Sequence, residues 1–182
     1  ARRLLDTFFP FFRRGVAVVG LEPSCLLTLR DECLQYGWGD EAQALADASL
    51  LFEEFLVREK LQGRLELNLK ELGVPYAMVH GHCHQKAFDA LTPVQQVLGW
   101  IPGLDVRTVE SSCCGGAGSF GYEAEHYETS QAMAELSLFP AVRKLAPGAL
   151  MVADGTSCRH QIEDGVGIEP LHVARVLELA LA

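Results

Sequence analysis

The sequence has few of the features that mark nucleic-acid-binding or membrane-spanning proteins. Its 15 lysine and arginine residues are outnumbered by 24 aspartate and glutamate residues, so the formal net charge is -9. A negative field of this kind repels polyanions, and we expect no nucleic-acid partner. No apolar run is long enough to cross a bilayer, so we expect no transmembrane segment. The expected location is cytoplasmic, either free or peripheral at a membrane in the full-length protein.

A secretory signal is also lacking, because Asp6 and Pro10 interrupt the apolar start and no small-residue cleavage site follows. The six cysteines are therefore expected in a reducing compartment, where thiols serve metals or catalysis more often than disulfides. The first residue is alanine and the sequence enters a helix-like segment directly. We therefore expect a C-terminal fragment of a longer chain.

The 182 residues are enough for one domain with a buried core. Short apolar, β-branched segments alternate with longer segments of helical period, which predicts an α/β fold of strand, loop and helix units in a parallel sheet. Four predicted strands cover residues 16–20, 76–80, 105–110 and 149–155. Helices are predicted over residues 26–36, 40–61, 85–98, 123–138, 159–164 and 170–181.

Most of the cysteines follow predicted strands. They are Cys25 after the first strand, Cys83 after the second, Cys113 and Cys114 after the third, and Cys158 after the fourth. Because the carboxyl ends of parallel strands form the ligand-binding crevice of a sheet, these sulfurs could converge. Neighbouring helix N-termini would lower their pKa values and favour the thiolates that bind metals. Cys33 falls inside a predicted helix and is expected to be a small core residue.

A short internal repeat accompanies this pattern. Residues 18–25, VVGLEPSC, align with residues 151–158, MVADGTSC, and Asp31 and Asp164 follow at equal offsets. If the later unit also contains Cys83 and the adjacent cysteines, the earlier unit needs equivalents that precede residue 1. The sequence is then expected to begin inside a first repeat.

The segment SCCGGAGSFG, residues 112–121, puts two adjacent cysteines before a glycine-rich loop. Four sulfurs, the complement of a zinc site or a common iron–sulfur cluster, come from Cys83, Cys113, Cys114 and Cys158. Adjacent side chains normally diverge, which suits a multi-iron cluster better than one zinc ion. Backbone N–H groups and positive φ angles for a loop that approaches the cluster are expected from Gly115, Gly116 and Gly118.

Other interpretations compete with a cysteine-bound metal. GAGSFG, residues 116–121, satisfies the dinucleotide pattern GxGxxG, but no acidic residue ends a following strand at the usual distance. HGHCHQK, residues 80–86, surrounds Cys83 with three histidines, so a histidine-rich metal site or a thiol-dependent enzyme is a further alternative. Hydrogen-bonding support for the cysteine ligands, or direct ligation, is expected from His82, His84, His160 and Gln161.

These motifs resemble those of a known family. GLEPSCLLTLRDE, HGHCHQKA, CCGGAGSFGYEAEHYE and ADGTSCRHQI are similar to the cysteine-rich CCG domain found in heterodisulfide reductase and in the iron–sulfur protein of glycolate oxidase. The similarity is greatest to the C-terminal region of large FAD-linked oxidases of the D-2-hydroxyglutarate or D-lactate dehydrogenase type. The resemblance implies two repeats, with residues 1–74 as the tail of the first and residues 75–182 as the second.

The resemblance also implies a function. It indicates an iron–sulfur electron-transfer module of an FAD-dependent 2-hydroxyacid dehydrogenase, with a 4Fe-4S cluster here and FAD in another domain. Its expected partners are the flavin and other iron–sulfur domains of the same chain or complex and an acceptor such as a quinone, and the isolated chain is expected not to be catalytic. Cys25 would be the remnant ligand of the first repeat.

The sequence departs from the family pattern at one point in each repeat. The family closes each repeat with CxxC and can hold a noncubane cluster through five cysteines, whereas Thr28 and Gln161 stand here in place of the last cysteine. A four-thiolate cluster, a cluster with a non-cysteine fifth ligand, and zinc therefore all stay open. A structural zinc-binding docking domain is the corresponding alternative function.

Overall fold

A computed structural model describes residues 2–182 of the chain. The elements in chain order are α1 (Arg2–Phe12), β1 (Val18–Gly20), α2 (Pro23–Leu27), α3 (Asp40–Ala48), β2 (Ser49–Leu51), α4 (Phe52–Leu61), β3 (Ala77–His80), α5 (Cys83–Ala87), α6 (Leu91–Leu98), β4 (Val106–Thr108), α7 (Tyr127–Glu135), α8 (Leu138–Val142), β5 (Leu150–Ala153), α9 (Thr156–Val166) and α10 (Val173–Ala180). Short 3-10 helices cover Glu32–Tyr36, Phe120–Tyr122 and Ala124–His126. Within residues 2–182, no helix combines the length and the apolar character that a membrane crossing requires.

The strands form two separate parallel sheets. In the larger sheet the order is β4-β3-β5, and β3 pairs in parallel with both neighbours, so that Val79 lies opposite Thr108 on one side and Val152 on the other. The smaller sheet contains β1 and β2, also in parallel. The predicted α/β fold with parallel strands is confirmed.

Helices cover both faces of the larger sheet. Val79 and Val152 point into a core that is completed by residues of α4, α6 and α10, such as Val94 and Val176. The next residues along the strands point the other way, and Met151 packs into a second core with residues of α7, α8 and α9. This burial on both faces explains why the strands are continuously apolar rather than alternating.

A third core lies under the smaller sheet. Its buried members come from α1, α2, the following 3-10 helix, α3 and β2, and they include Leu5, Leu27, Cys33, Leu45 and Leu51. Cys33 is 3% exposed, so the prediction that it is a core residue is confirmed.

Three of the predicted helices are interrupted. Residues 26–36 are divided between α2, which ends at Leu27, and the 3-10 helix Glu32–Tyr36. The other two interruptions have a clear local cause. Residues 40–61 are not one helix, because residues 49–51 leave the helical path to pair with β1 as strand β2. Residues 85–98 are divided between α5 and α6, and Asp89 between them has a φ of +53°, which no helix accommodates. Long-range pairing and one left-handed residue thus override helical periodicity that continues in the sequence.

Candidate metal centre

The carboxyl ends of β3, β4 and β5 bring four cysteines together. Cys83 begins α5 just after β3, Cys158 is the third residue of α9 after β5, and Cys113 and Cys114 lie in an irregular loop after β4. The thiol groups interact in series, Cys83 with Cys113, Cys113 with Cys114, and Cys114 with Cys158. The expected convergence is therefore present for these four, although the adjacent pair does not stand at a helix N-terminus.

Interactions within this series divide the four thiols by acidity. A hydrogen bond from Cys114 lowers the pKa of Cys158 to about 5, and hydrogen bonds from Cys114 and Cys83 hold the pKa of Cys113 well below its usual range. The same contacts, with burial, raise the pKa of Cys83 and of Cys114. The close approach of the four sulfurs thus drives their pKa values apart, and metal binding would displace the protons that they carry.

His80 lies among these sulfurs. It is the last residue of β3 and is 1% exposed, and one of its ring nitrogens lies with the Sγ atoms of Cys114 and Cys158 in a group whose members are within 4.8 Å of one another. Its Nδ1 is 2.9 Å from the Ser111 Oγ, and its Nε2 is buried without a hydrogen-bond partner. The sequence pattern indicated His80 only as part of the alternative histidine-rich site, and its place at the end of a predicted strand is the signal that points to this edge.

The histidines that were expected to assist the site have different positions. His82 is buried and caps α5, where its Nδ1 accepts a hydrogen bond from the His84 backbone N–H at 3.2 Å and lies 4.0 Å from the Cys83 Sγ. Burial lowers the pKa of His82 and so favours its neutral form. His84 instead lies with Asp31 and Glu32, in a group whose ligand atoms are within 4.8 Å of one another.

His160, the third of these histidines, lies in a small cleft beside the glycine-rich loop. Its Nδ1 is 2.7 Å from the Oη of Tyr122. Residues that line the same cleft include Gly116, Ser157 and Asp164. The pairing with Tyr122 gives His160 a partner outside the four cysteines.

Backbone N–H groups of the glycine-rich loop point at the adjacent cysteines. The Gly115 N–H donates to the Cys113 Sγ at 3.3 Å, and the Gly116 N–H donates to the Cys114 Sγ at 3.4 Å. Such bonds stabilise negative charge on sulfur, whether it is a free thiolate or a metal ligand.

Two glycines of this loop have conformations that other residues rarely adopt. Gly115 has a φ of +89°, and a Cβ there would lie 2.2 Å from the carbonyl oxygen of Ser130. Gly118 has a φ of +64° with no other group within 4 Å of such a Cβ. Gly115 is thus required by both conformation and space, whereas Gly118 is required by conformation alone.

Gln161, which stands in place of the expected last cysteine, holds the glycine-rich loop through Ser130. Its Nε2 donates to the carbonyl oxygen of Ser130 at 3.1 Å and to the Ser130 Oγ at 3.0 Å. The Ser130 hydroxyl in turn donates to the carbonyl oxygen of Gly115 at 2.9 Å. The amide is therefore engaged in positioning the loop.

A buried polar network lies beneath the start of α5. The Gln85 side chain, which is fully buried, accepts from the His82 N–H at 3.0 Å and donates to Glu53 and to Asp154, each at 2.9 Å. Burial, followed by the charge of Asp154, raises the pKa of Glu53 to about 8. Glu53 is therefore mostly protonated at neutral pH, and the network joins α4, α5 and the end of β5.

Cys25 lies apart from the four-cysteine group. It is exposed and lines a groove with Leu4, Phe8 and Leu29. Like Cys158, it is the third residue of a helix that follows a parallel strand. The Glu22 carboxylate connects the two helix starts, because it accepts hydrogen bonds from Ser24 in α2 and from the backbone N–H and hydroxyl of Thr156 in α9.

Comparison with known proteins identifies relatives among oxidoreductases. The chain is 31% identical over 171 residues to the C subunit of the anaerobic glycerol-3-phosphate dehydrogenase of Escherichia coli (strain K12), a match that covers 93% of this chain and 41% of that protein. It is 29% identical over 178 residues to the D-2-hydroxyglutarate dehydrogenase of the same strain and 30% identical over 151 residues to that of Pantoea ananatis (strain AJ13355), covering 92% and 82% of this chain. The resemblance to CCG-type regions near large FAD-linked oxidases is confirmed.

The chain spans less than half of each of these relatives, with 16% of the Escherichia coli D-2-hydroxyglutarate dehydrogenase and 14% of the Pantoea enzyme covered. No protein-family model matches the chain. No solved structure matches it either.

The donor set suits a thiophilic metal. Four sulfurs and one unpartnered imidazole nitrogen meet at one edge of the sheet, and His80, Cys114 and Cys158 are close enough to hold a metal ion. Thiolate and imidazole donors favour zinc, copper or iron–sulfur clusters over magnesium or calcium. The residues present therefore fit the metal group that the resemblance implies.

Proposed function

We propose that this chain is the iron–sulfur electron-transfer module of an FAD-dependent dehydrogenase that oxidises a 2-hydroxyacid. The observation that carries this proposal is the convergence of four cysteines at the carboxyl edge of the β4-β3-β5 sheet. The names of these relatives support it, because they denote dehydrogenases of hydroxyl-bearing substrates.

The proposed ligands are Cys83, Cys113, Cys114 and Cys158. Adjacent thiolates can bind different irons of a cluster, whereas a single zinc ion requires both side chains to turn toward one point. The N–H groups of Gly115 and Gly116 already point at the two adjacent sulfurs. This arrangement favours a multi-iron cluster over a single metal ion.

FAD in another domain would supply two-electron chemistry, and a cluster at these cysteines would supply one-electron transfer toward a quinone-type acceptor. In the net reaction, the hydroxyacid gives up two electrons and two protons and becomes a 2-oxoacid, and a quinone that receives them becomes a quinol. The part played by this chain is to hold the cluster at the sheet edge, with one side buried and one side open to solvent. Cys114 and Cys158 are 3% and 1% exposed, whereas Cys83 is exposed and Cys113 is half-buried.

We also propose that residues 1–74 are the tail of a first CCG repeat and residues 75–182 a second. The equivalent positions of Cys25 and Cys158 in their strand–helix units support this division. Cys25 would then be a ligand in the first repeat rather than a member of the four-cysteine group.

A structural zinc site in a docking domain is the second candidate, and the count of four cysteines favours it. Spectroelectrochemical titration of the anaerobically loaded protein separates the two functions. We expect a reversible one-electron wave in the wild type and in Cys33→Ser, because Cys33 lies in a separate core. A protein without any wave, fully loaded with zinc, would overturn the electron-transfer proposal.

Alkylation of one thiol that abolishes substrate turnover by the isolated chain would instead indicate a thiol-dependent enzyme.

A further inference from the structure

We propose that His80 is a ligand of the cluster and supplies one nitrogen beside the four cysteine sulfurs. This inference rests on the proposed iron–sulfur function. His80 ends the central strand of the three-stranded sheet, so its side chain lies at the edge where the loops after β3, β4 and β5 meet. One ring nitrogen lies within 4.8 Å of the Sγ atoms of both Cys114 and Cys158.

The contact with Ser111 occupies one ring nitrogen of His80 and leaves the other for a metal. The Nδ1 atom is 2.9 Å from the Ser111 Oγ, which can accept its proton. In that tautomer Nε2 carries no proton and is a competent metal ligand. Metal-binding histidines commonly donate their second N–H to an oxygen in this way.

Burial makes the free nitrogen significant. His80 is 1% exposed, and its Nε2 is enclosed without a hydrogen-bond partner among residues 2–182. Buried polar atoms without any partner are rare in folded proteins and call for an explanation. A metal bound to Nε2 satisfies this atom and uses the position that the ring already occupies.

The loop that carries the adjacent cysteines also holds His80 in place. Ser111 lies two residues before the first of these cysteines, so its contact with His80 ties the ring to their loop. Lys86 strengthens the same loop, because its Nζ donates to the carbonyl oxygens of Ser111 and Ser112, each at 2.5 Å. The imidazole and the two sulfurs are therefore positioned by one connected set of contacts.

Two other polar side chains near the sulfurs, Gln161 and His82, already have hydrogen-bond partners. Gln161 donates to Ser130 through its amide nitrogen. The Nδ1 atom of His82 accepts the His84 backbone N–H, and His84 itself lies with two carboxylates. Two buried nitrogens near this edge lack a hydrogen-bond partner within residues 2–182, the Nε2 of His80 and the Nδ1 of His84. His80 is the one that lies with two of the sulfurs, whereas His84 lies with Asp31 and Glu32.

Pulsed electron paramagnetic resonance on the reconstituted protein tests this inference. The protein is loaded anaerobically with iron and sulfide, brought to a paramagnetic state, and prepared with either natural or ¹⁵N-labelled histidine. We expect a strong nitrogen coupling that changes with the label, in the range of a directly bound imidazole. This isotopic comparison needs no substitution, so it does not depend on the folding of a variant.

Two variants localise the signal. His80→Cys should retain iron and sulfide but lose the nitrogen coupling, and its reduction potential should fall because a thiolate adds negative charge. His126→Ala is the control, because this histidine pairs with Glu123 and lies outside the four-cysteine group, and it should keep the coupling. A wild-type cluster without histidine coupling, or a coupling that persists in His80→Cys, would overturn the role of His80 while leaving the electron-transfer proposal intact. Protein that takes up zinc alone and forms no cluster would overturn both.

Discussion

Two strand–helix units of this chain place a cysteine at the same local position with different results. Cys25 follows β1 and Cys158 follows β5, each as the third residue of the next helix. Cys158 is 1% exposed and lies against Cys114, whereas Cys25 is exposed beside an apolar groove. The strand–helix motif places a cysteine at the start of the helix. Whether other potential ligands lie next to that cysteine depends on which strands flank the unit in the sheet.

The neighbours of the two strands explain the difference. β5 lies beside β3, and β4 lies on the far side of β3, so three loops reach the same edge. β1 pairs with β2, which continues directly into α4 and carries no cysteine. A metal site in a parallel sheet therefore depends on several crossovers that end at one edge.

Substitution of single cysteines should produce the largest contrast between the two units. Cys114→Ser should lose most of the bound metal, because Cys114 contacts both Cys113 and Cys158. Cys25→Ser and Cys33→Ser should keep it, since neither lies among the four sulfurs. Metal analysis after anaerobic loading measures this difference. Equal metal content in the three variants would refute the ligand assignment.

The buried network that supports the four-cysteine site should make stability depend on pH. The pKa of Glu53 is about 8 in the folded protein, against an ordinary value of 4.5, so the folded state binds the extra proton between these values. The contribution of protonated Glu53 to the free energy of unfolding is complete below pH 4.5 and is lost as pH rises through 8. Linkage limits the loss to about 1.4 kcal/mol per pH unit for one proton.

Urea unfolding at pH 5 to 8 tests this expectation, with Glu53→Gln as the comparison. Glutamine cannot titrate, so the variant should show a flatter dependence of unfolding free energy on pH than the wild type. Parallel curves for the two proteins would assign the pH dependence to other groups.

Alanine substitutions in the glycine-rich loop should distinguish the cost of a steric clash from the cost of an unfavourable backbone conformation. Gly115→Ala forces a Cβ to within 2.2 Å of the Ser130 carbonyl oxygen and also retains an unfavourable φ of +89°. We expect a loss of about 2 to 3 kcal/mol of unfolding free energy. Gly118→Ala has open space and should cost only about 1 kcal/mol. Chemical denaturation measures both, and equal losses would show that the contact with Ser130 is not decisive.

Removal of the carboxylate of Glu22, which joins the starts of α2 and α9, should have the smallest effect on stability. Glu22→Gln weakens the hydrogen bonds that this carboxylate accepts from Ser24 and Thr156, with an expected cost of about 1 kcal/mol. Burial raises the pKa of Glu22, but the bonds from Thr156 and Ser24 outweigh it and lower the pKa overall. The wild type should therefore lose this stabilisation as pH falls below 4.5, and the variant should not. Thermal unfolding at pH 3 to 7 distinguishes them, and an identical acid dependence would contradict the role of Glu22.

The sequence alone was sufficient to locate the strands that build the site. Buried parallel strands are short apolar runs, so residues 76–80, 105–110 and 149–155 stood out from their surroundings. Because each is followed by a cysteine, the convergence of Cys83, the adjacent pair and Cys158 could be expected from the topology of a parallel sheet.

Features that depend on distant partners were beyond the sequence. Strand β2 lies within a segment of helical period and forms only because β1 pairs with it. The tautomer and free nitrogen of His80 depend on Ser111, which is 31 residues away in sequence. His84 follows His82 by two residues in sequence, but its ring nitrogen lies with the carboxylates of Asp31 and Glu32, which are more than 50 residues earlier in the chain.

Analysis of iron, acid-labile sulfide and zinc in the anaerobically loaded protein tests the central claim most directly. The proposed four-cysteine cluster predicts several irons with a matching amount of sulfide per chain, unchanged in Cys25→Ser and largely lost in Cys114→Ser. One zinc ion per chain with no sulfide, even when iron and sulfide are supplied in excess, would contradict it.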